Sequence, residues 1–151
     1  MANADRPQSS TRILVVDDHQ PFRQFVVSML EDQPELQIIG EAQDGLEAVQ
    51  KAGQLKPELI VLDIGLPKLN GLDAARQICK LLPDTKILFV SQESSADIMQ
   101  EALCTGAMGY VVKVDARTEL LDAIAALLRG EQFVSKRFAD CCTVPSPRKN
   151  T

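Results

Sequence analysis

Short apolar runs recur along this chain, and each is followed by a segment whose apolar positions have helical spacing. Most of the runs are rich in Val, Ile and Leu without polar interruption, which is typical of strands buried on both faces of a parallel sheet. The sequence therefore predicts five strands, at residues 13–16, 37–41, 59–62, 86–90 and 110–112.

Helices are predicted between these strands and after the last one. In the first interval, the apolar residues follow the i, i+3, i+4, i+7, i+8 pattern of one helix face, at Phe22, Phe25, Val26, Met29 and Leu30. A helix with weaker periodicity follows Asp44, which suits the N-cap position. The clearest helix is the last, and its apolar face runs from Leu120 to Leu128.

This alternation of strand and helix predicts a doubly wound α/β fold, with a five-stranded parallel sheet covered by helices on both faces. Right-handed crossovers limit the possible strand orders, but the pattern alone does not select one. A chain of 151 residues is long enough for one domain with a substantial core. We place that domain at residues 12–130, with a flexible leader at residues 1–11 and a tail or truncated linker at residues 131–151.

Charge and hydropathy exclude several classes of function. The net charge of -5 argues against direct binding of nucleic acid, because phosphate backbones require a basic face. No apolar run approaches the roughly 20 residues that span a bilayer, and residues 1–12 lack the apolar core of a secretory signal. We therefore predict a cytoplasmic protein that does not associate with membranes.

Polar residues suited to phosphate chemistry follow four of the five predicted strands. They are Asp17, Asp18, Asp63, Ser91 and Lys113. Because the carboxyl ends of parallel strands meet at one edge of a sheet, these side chains should converge if their strands are neighbours. An isolated Asp63 would more simply end a strand or cap the next helix, so the prediction depends on the whole set.

Three carboxylates at one site repel one another, and without a cation one of them would be forced to protonate. Mg²⁺ binds a few carboxylate oxygens while leaving positions for water and for phosphate oxygens. Lys113 would add a point charge and Ser91 a hydrogen bond to the remaining phosphoryl oxygens. The set of residues therefore indicates a magnesium-dependent site for phosphoryl transfer.

In these residues and in two longer runs, the sequence resembles the receiver domain of bacterial two-component response regulators. The runs are Leu-Asp-Ile-Gly-Leu-Pro-Lys-Leu-Asn-Gly at residues 62–71 and Gly109-Tyr110-Val111-Val112-Lys113. The match covers about residues 12–130. Its details are similar to the branch that usually carries a helix-turn-helix DNA-binding domain. The resemblance implies a flavodoxin-like sheet with strand order 2-1-3-4-5 and a phosphorylation-dependent signalling switch.

The resemblance also implies roles for single residues. Asp63 would accept a phosphoryl group from a sensor histidine kinase, and Lys113 would hold a phosphoryl oxygen. Asp18, Asp63 and the backbone carbonyl of Gly65 would bind Mg²⁺ directly, and Asp17 would help through water. The chain would then be a regulatory domain and not an enzyme, since it would catalyse only its own phosphorylation and dephosphorylation.

A conformational switch is implied at two further residues. Ser91 would turn towards the phosphoryl group, and Tyr110 would follow it inward. This movement would alter the face made by the fourth helix, the fifth strand and the fifth helix, through which the protein could form a homodimer on phosphorylation. The plainer interpretation of Tyr110 is a core aromatic with a hydrated hydroxyl.

The sequence departs from the common receiver pattern at two positions. Gln92 follows Ser91, where many receivers have a small residue, and it could crowd the site or hydrogen-bond near it. Val114 follows Lys113, where a proline is common. The single histidine, His19, is not predicted as a metal ligand, because a hard Mg²⁺ ion prefers oxygen.

Two other functions stay open at this point. One is an interaction module that is never phosphorylated, and the other is a phosphohydrolase with Asp63 as its nucleophile. The second resembles haloacid dehalogenase-like enzymes but is disfavoured, because Gly65 stands where their second acid would be. About twenty residues follow residue 130, too few for a helix-turn-helix domain, so we expect either a removed output domain or a stand-alone receiver.

Overall fold

The computed structural model of this protein describes residues 10–139. Six strands and five helices alternate along most of that range. The strands are β1 (Thr11–Val16), β2 (Leu36–Ala42), β3 (Leu59–Leu62), β4 (Lys86–Ser91), β5 (Gly109–Val112) and β6 (Phe133–Val134). The helices are α1 (Gln20–Glu31), α2 (Gly45–Leu55), α3 (Gly71–Leu81), α4 (Ala96–Leu103) and α5 (Ala116–Leu128).

The strands form one parallel sheet in the order β2-β1-β3-β4-β5-β6. The predicted doubly wound fold and the order 2-1-3-4-5 are confirmed for the first five strands. The sixth strand was not predicted, since two apolar residues are too short a run to be distinguished from a loop. Of the described helices, none is long and apolar enough to cross a bilayer.

Side chains from alternate strand positions fill two separate cores, one on each face of the sheet. In β1, Leu14 and Val16 point into the core beneath α2, α3 and α4, whereas Ile13 and Val15 point into the core beneath α1 and α5. All four of these side chains are almost fully buried. Burial on both faces explains why β1, β3, β4 and β5 are largely continuous apolar runs and not alternating ones.

Local sequence signals set the helix starts. Asp44, the predicted N-cap of α2, accepts a hydrogen bond from the backbone N–H of Glu47, and Asn70 caps α3 through Asp73 in the same way. Pro21 lies in the first turn of α1, where its missing N–H leaves no helical hydrogen bond unmade. These starts place the strand-to-helix loops at the carboxyl edge of the sheet.

The described part of the chain continues past the predicted domain boundary at residue 130. β6 pairs with β5, and a turn of 3₁₀ helix follows at Lys136–Phe138. Phe138 is only 2% exposed, so this part of the predicted tail packs against the domain. The rest of the tail after residue 139, and residues 1–9 of the predicted leader, lie outside the described residues.

Candidate functional site

The site forms where β1 and β3 end side by side. Val16 and Leu62 are partners in the parallel register, so the residues that follow them, Asp17 and Asp63, leave the sheet together. The Asp63 N–H donates to the carbonyl oxygen of Val16 at 3.1 Å, which continues the ladder by one step. Strand pairing therefore brings together two carboxylates that are 46 positions apart in sequence.

Asp18 completes a group of three carboxylates. One oxygen from each of Asp17, Asp18 and Asp63 lies within 4.8 Å of the others. Asp17 and Asp63 are 3% and 7% exposed, whereas Asp18 is exposed to solvent. Two of the three carboxylates are thus buried at the edge of the sheet, and the third is open to solvent.

Lys113 follows β5 and places its ammonium group over the buried pair. The Nζ atom lies 2.9 Å from Asp17 Oδ2 and 3.6 Å from Asp63 Oδ2. It also lies 4.6 Å from the centre of the Phe22 ring, a favourable distance for a cation–π contact. One positive charge is therefore held among three negative ones, which leaves the group with excess negative charge.

The environment disfavours the charged form of Asp63. Burial raises the pKa of this carboxyl above its usual value, and the neighbouring Asp17 carboxylate raises the pKa further. The Lys113 ammonium acts in the opposite direction, but it does not reverse the shift. A cation at this site would remove the repulsion and lower the pKa again.

The raised pKa predicts how stability depends on pH. The folded chain binds the Asp63 proton more tightly than the unfolded chain does. The contribution of the protonated carboxyl to stability is therefore fully present below the unfolded pKa near 3.8. It is lost as the pH rises through the folded pKa. At pH 7 without divalent cations, Asp63→Asn should therefore raise the Tm by on the order of a few degrees, and the gain should shrink towards zero by about pH 3.5.

Thermal melts in a chelating buffer at the two pH values measure this difference. Asp18→Asn is the matched control, because the same change at an exposed carboxyl should move the Tm less. A lower Tm for Asp63→Asn than for the native chain at pH 7 would contradict the electrostatic explanation.

The loop after Asp63 is tightly folded. The Ile64 carbonyl accepts hydrogen bonds from the N–H groups of Leu66 and Gly71, at 2.8 and 2.7 Å. A Cβ atom on Gly71 would lie 2.0 Å from the carbonyl oxygen of Asp63, so only glycine fits at the start of α3. Around Gly65, in contrast, a Cβ would meet no described atom within 4 Å. A side chain at position 65 would consequently point into open space.

Ser91 and Tyr110 are joined through the chain after β4. The Ser91 hydroxyl oxygen accepts from the Glu93 N–H at 3.1 Å, and the Tyr110 hydroxyl donates to the Glu93 carbonyl at 2.8 Å. Ser91 is 1% exposed and Tyr110 is fully buried. Burial raises the pKa of the Tyr110 hydroxyl, against a smaller lowering by Ser91, so this hydroxyl stays a neutral donor at physiological pH.

An open cleft of about 540 Å³ lies over these groups. Its lining includes most of the predicted site residues and some of their neighbours, namely Asp18, His19, Phe22, Asp63, Ile64, Gly65, Ser91, Gln92, Glu93, Lys113 and Val114. Gln92 and Val114, the two departures from the common receiver pattern, are both exposed at this cleft. All seven predicted site residues are thus brought to one place, with Asp17 and Tyr110 buried behind the cleft wall.

Two contacts of the site were not foreseen. Phe22 packs beneath Lys113, and Arg23 donates from Nη1 to the backbone carbonyl of Asp17 at 2.7 Å. Arg23 also forms an ion pair with Glu41 at 2.9 Å, which ties the acidic loop to β2. The helical pattern of the sequence predicts that Phe22 and Arg23 lie on α1. It does not predict which groups their side chains contact, so these two contacts were missed.

The donor set suits Mg²⁺. Direct ligands lie about 2.1 Å from this ion, so two of them are at most about 4.2 Å apart. The three carboxylate oxygens lie within 4.8 Å of one another, which is compatible with one or two direct ligands and a third carboxylate acting through water. Asp17 is the carboxylate least free to bind directly, because Lys113 and the His19 N–H already occupy its two oxygens.

The sheet order, the acidic group and the position of the lysine are together the arrangement that the receiver resemblance implies. Comparison with protein families agrees, since residues 13–125 match the model described as the response regulator receiver domain. This chain belongs to the response regulator receiver domain family. The resemblance predicted from its motifs is confirmed. Domains of this family serve phosphorylation-dependent signalling.

Curated relatives are themselves regulators. The chain is 35% identical over 128 residues to the transcriptional regulatory protein LiaR of Bacillus subtilis, a match that covers 85% of this chain and 61% of LiaR. It is 34% identical over 128 residues to the response regulator GacA of Pseudomonas syringae, covering 85% and 60%. The chain thus spans about three fifths of the length of these relatives.

Solved structures give the same assignment. A two-component response regulator of the LuxR family from Aurantimonas sp. superimposes with a TM-score of 0.83 at 32% identity, covering 87% of this chain and 94% of that one. The response regulator domain of Thermotoga maritima CheB gives a TM-score of 0.72 at 36% identity, covering 79% and 94%. Receiver domains of this family generally bind Mg²⁺ at an acidic pocket, and sensor histidine kinases phosphorylate response regulators.

Proposed function

We propose that Asp63 is the residue of this chain that becomes phosphorylated. Of the three grouped carboxylates, Asp18 and Asp63 line the cleft, and only Asp63 of these two contacts Lys113, at 3.6 Å. Asp17 has both oxygens engaged, by Lys113 and by the His19 N–H. The combination of access to the cleft with proximity to the ammonium group is the observation that carries the proposal.

In the proposed reaction, a carboxylate oxygen of Asp63 attacks the phosphorus of a phosphohistidine on a sensor kinase. A P–O bond forms and the P–N bond breaks, so the imidazole leaves with the electron pair and takes up a proton. Lys113 would balance charge on the phosphoryl oxygens, and Ser91 would donate its hydroxyl to one of them. The chain contributes positioning and charge, which is most of what phosphoryl transfer requires.

Asp18, Asp63 and the backbone carbonyl of Gly65 would hold Mg²⁺, with Asp17 acting through water. When bound, the ion neutralises negative charge on the acidic group and on the incoming phosphate. Two observations support this ligand set: Asp18 is exposed at the cleft, and Gly65 lines the same cleft beside Asp63. His19 lines the cleft as well, but its imidazole is a poor ligand for so hard an ion.

Ser91 and Tyr110 would change position when Asp63 is phosphorylated. A phosphoryl group on Asp63 adds strong acceptors, and the Ser91 hydroxyl, which accepts from the Glu93 N–H, would turn to donate to one of them. Tyr110 donates to the carbonyl of the same Glu93 residue, so the two side chains are mechanically linked. The expected output is a shift of population at the face made by α4, β5 and α5, and not a new fold.

A sensor histidine kinase is the proposed phosphodonor, and the phosphorylated chain would form a homodimer through the α4–β5–α5 face. As a regulatory domain, it would turn over only its own acyl phosphate. Gel filtration with and without a phosphoryl mimic measures the dimerisation, and a monomer peak that is unchanged by the mimic would contradict this part of the proposal.

Intact-mass spectrometry tests the central claim. The native chain, incubated with acetyl phosphate and Mg²⁺, should gain one phosphoryl group, and the gain should disappear when Mg²⁺ is chelated. Asp63→Asn should gain none, because an amide is not nucleophilic enough to replace the carboxylate. Asp73→Asn, a change at a half-exposed aspartate on α3, is the matched control and should be phosphorylated like the native chain.

Each outcome of this experiment is informative. A native chain that binds Mg²⁺ but gains no mass would overturn the proposal and favour an unphosphorylated interaction module. Mass gain by Asp63→Asn equal to that of the native chain would assign the phosphoryl group to another residue. Continuous release of phosphate from added phosphate esters would indicate a phosphohydrolase instead.

A further inference from the structure

Residues 133–138, here called the C-terminal segment, cover the outer edge of β5. Tyr110 pairs with Val134 in the register of β5 with β6, and the Ser135 N–H donates to the Tyr110 carbonyl at 2.9 Å. The edge of β5 between α4 and α5 is therefore covered by the chain's own residues, and the proposed homodimer would use the surface that α4, α5 and this segment form together.

The C-terminal segment contacts the ring of the proposed switch residue directly. Phe138 meets Tyr110 edge to face, with ring centroids 5.8 Å apart and an interplanar angle of 74°. Both side chains belong to the same core cluster, and neither is more than 2% exposed. Tyr110 consequently cannot leave its buried position without losing its contact with Phe138.

Buried polar groups fasten the segment to α5 and β5. The Ser135 hydroxyl donates to Glu119 Oε1 at 2.6 Å and accepts from the Val112 N–H at 2.9 Å. The second oxygen of Glu119 accepts from the Lys136 N–H at 3.1 Å. Glu119 is a carboxylate only 6% exposed, so its bonds to the segment are the ones that compensate for its burial.

A second connection runs towards the phosphorylation site. Arg137 binds Asp115 with two hydrogen bonds, at 2.7 and 3.0 Å. Asp115 ends the single turn of 3₁₀ helix that Lys113 begins. The C-terminal segment thus contacts both the ring of Tyr110 and the turn that carries the site lysine.

We infer that docking of the C-terminal segment and phosphorylation of Asp63 stabilise each other. This inference rests on the proposed function of Asp63. Docking of Phe138 holds Tyr110 inside, with its hydroxyl on the Glu93 carbonyl. The switch proposed for Ser91 and Tyr110 places this ring inside when Asp63 is phosphorylated. Coupling between two sites is reciprocal, so phosphorylation must tighten the docking by the same factor.

Hydrogen exchange of the native chain tests one direction of the coupling. Beryllofluoride with Mg²⁺ is a phosphoryl mimic. When both are added, the exchange rates of the amides of residues 133–138 should fall by about fivefold or more. Asp63→Asn with the same additions should show no such change. Unchanged exchange in this segment, while peptides around the cleft become protected, would overturn the inference.

Affinity for the mimic tests the other direction. Phe138→Ala should weaken beryllofluoride binding by about fivefold or more, as followed by fluorine NMR at fixed Mg²⁺. Leu36→Ala is the matched control, because it truncates a similarly buried side chain at the opposite edge of the sheet. Equal affinities of the two variants would contradict the coupling.

Glu119→Gln provides a variant that keeps the shape of the side chain. It removes the charge from the bonds to Ser135 and Lys136, so it should weaken binding of the mimic in the same direction as Phe138→Ala but less. An affinity equal to that of the native chain, with faster exchange in residues 133–138, would show that docking and phosphorylation are independent.

Failure of the inference is distinguishable from failure of the proposed function. If the native chain binds no beryllofluoride and gains no phosphoryl group, Asp63 is not the acceptor and both proposals fall. If binding and phosphorylation occur but neither depends on Phe138, only the coupling falls.

Discussion

Lys113→Gln should slow phosphorylation of Asp63 by about 100-fold or more, the usual cost of removing one donor from a developing charge. The ammonium group lies 2.9 Å from Asp17 and 3.6 Å from Asp63, so it is positioned to meet oxygens of a phosphoryl group arriving at Asp63. Glutamine keeps most of the side-chain length but not the charge. The initial rate with acetyl phosphate, measured by intact mass at saturating Mg²⁺, gives the effect.

The same substitution should tighten Mg²⁺ binding severalfold. Three carboxylates without their internal cation attract a divalent ion more strongly, since Lys113 no longer competes for the same oxygens. Opposite changes in phosphorylation rate and in Mg²⁺ affinity distinguish a specific role from general damage. Lys68→Gln is the charge-matched control, because Lys68 is exposed and pairs with Asp44 at 3.6 Å, away from the cleft. A Lys113→Gln rate within threefold of the native rate would refute the role.

A second large effect is expected at the start of α3, where Gly71→Ala should lower the free energy of unfolding by about 2–4 kcal/mol. Helix propensity alone predicts the opposite sign, since alanine is favoured over glycine by about 1 kcal/mol. The steric term decides, because the added Cβ would lie 2.0 Å from the Asp63 carbonyl oxygen and 2.7 Å from Ile64 Cα. Both are backbone atoms, so they cannot turn away as the end of a flexible side chain could.

Urea denaturation of the Mg²⁺-free proteins measures this loss. Gly65→Ala is the control in the same loop, and it should change stability by no more than about 0.5 kcal/mol, because a Cβ there meets open space. Gly71→Ala should also weaken Mg²⁺ binding, since relief of the overlap displaces the Asp63 backbone. Equal stability of the two alanine variants would show that the loop relaxes freely and does not position Asp63.

Patterns along the chain predicted most of the fold. Continuous apolar runs located four of the six described strands, and the shorter Ile38-Ile39 run located β2. β3 was located to the residue, at Leu59–Leu62. The Asp44 N-cap was predicted because short polar side chains at such positions satisfy free N–H groups of the first turn. β6 and the burial of Phe138 were not predicted, since a two-residue strand has no periodicity and its stability comes from its neighbours.

By itself, the sequence determined which residues have the chemistry for a phosphorylation site and that each follows a strand. Those properties are local, because an apolar run and the polar residue after it are adjacent in the chain. Only the tertiary structure decided that Lys113 pairs with Asp17 as well as approaching Asp63, and that Glu119 and Phe138 hold the C-terminal segment against Tyr110. Pairing and burial depend on contacts between residues distant in sequence, and a local pattern contains no information about which distant residue fills a given space.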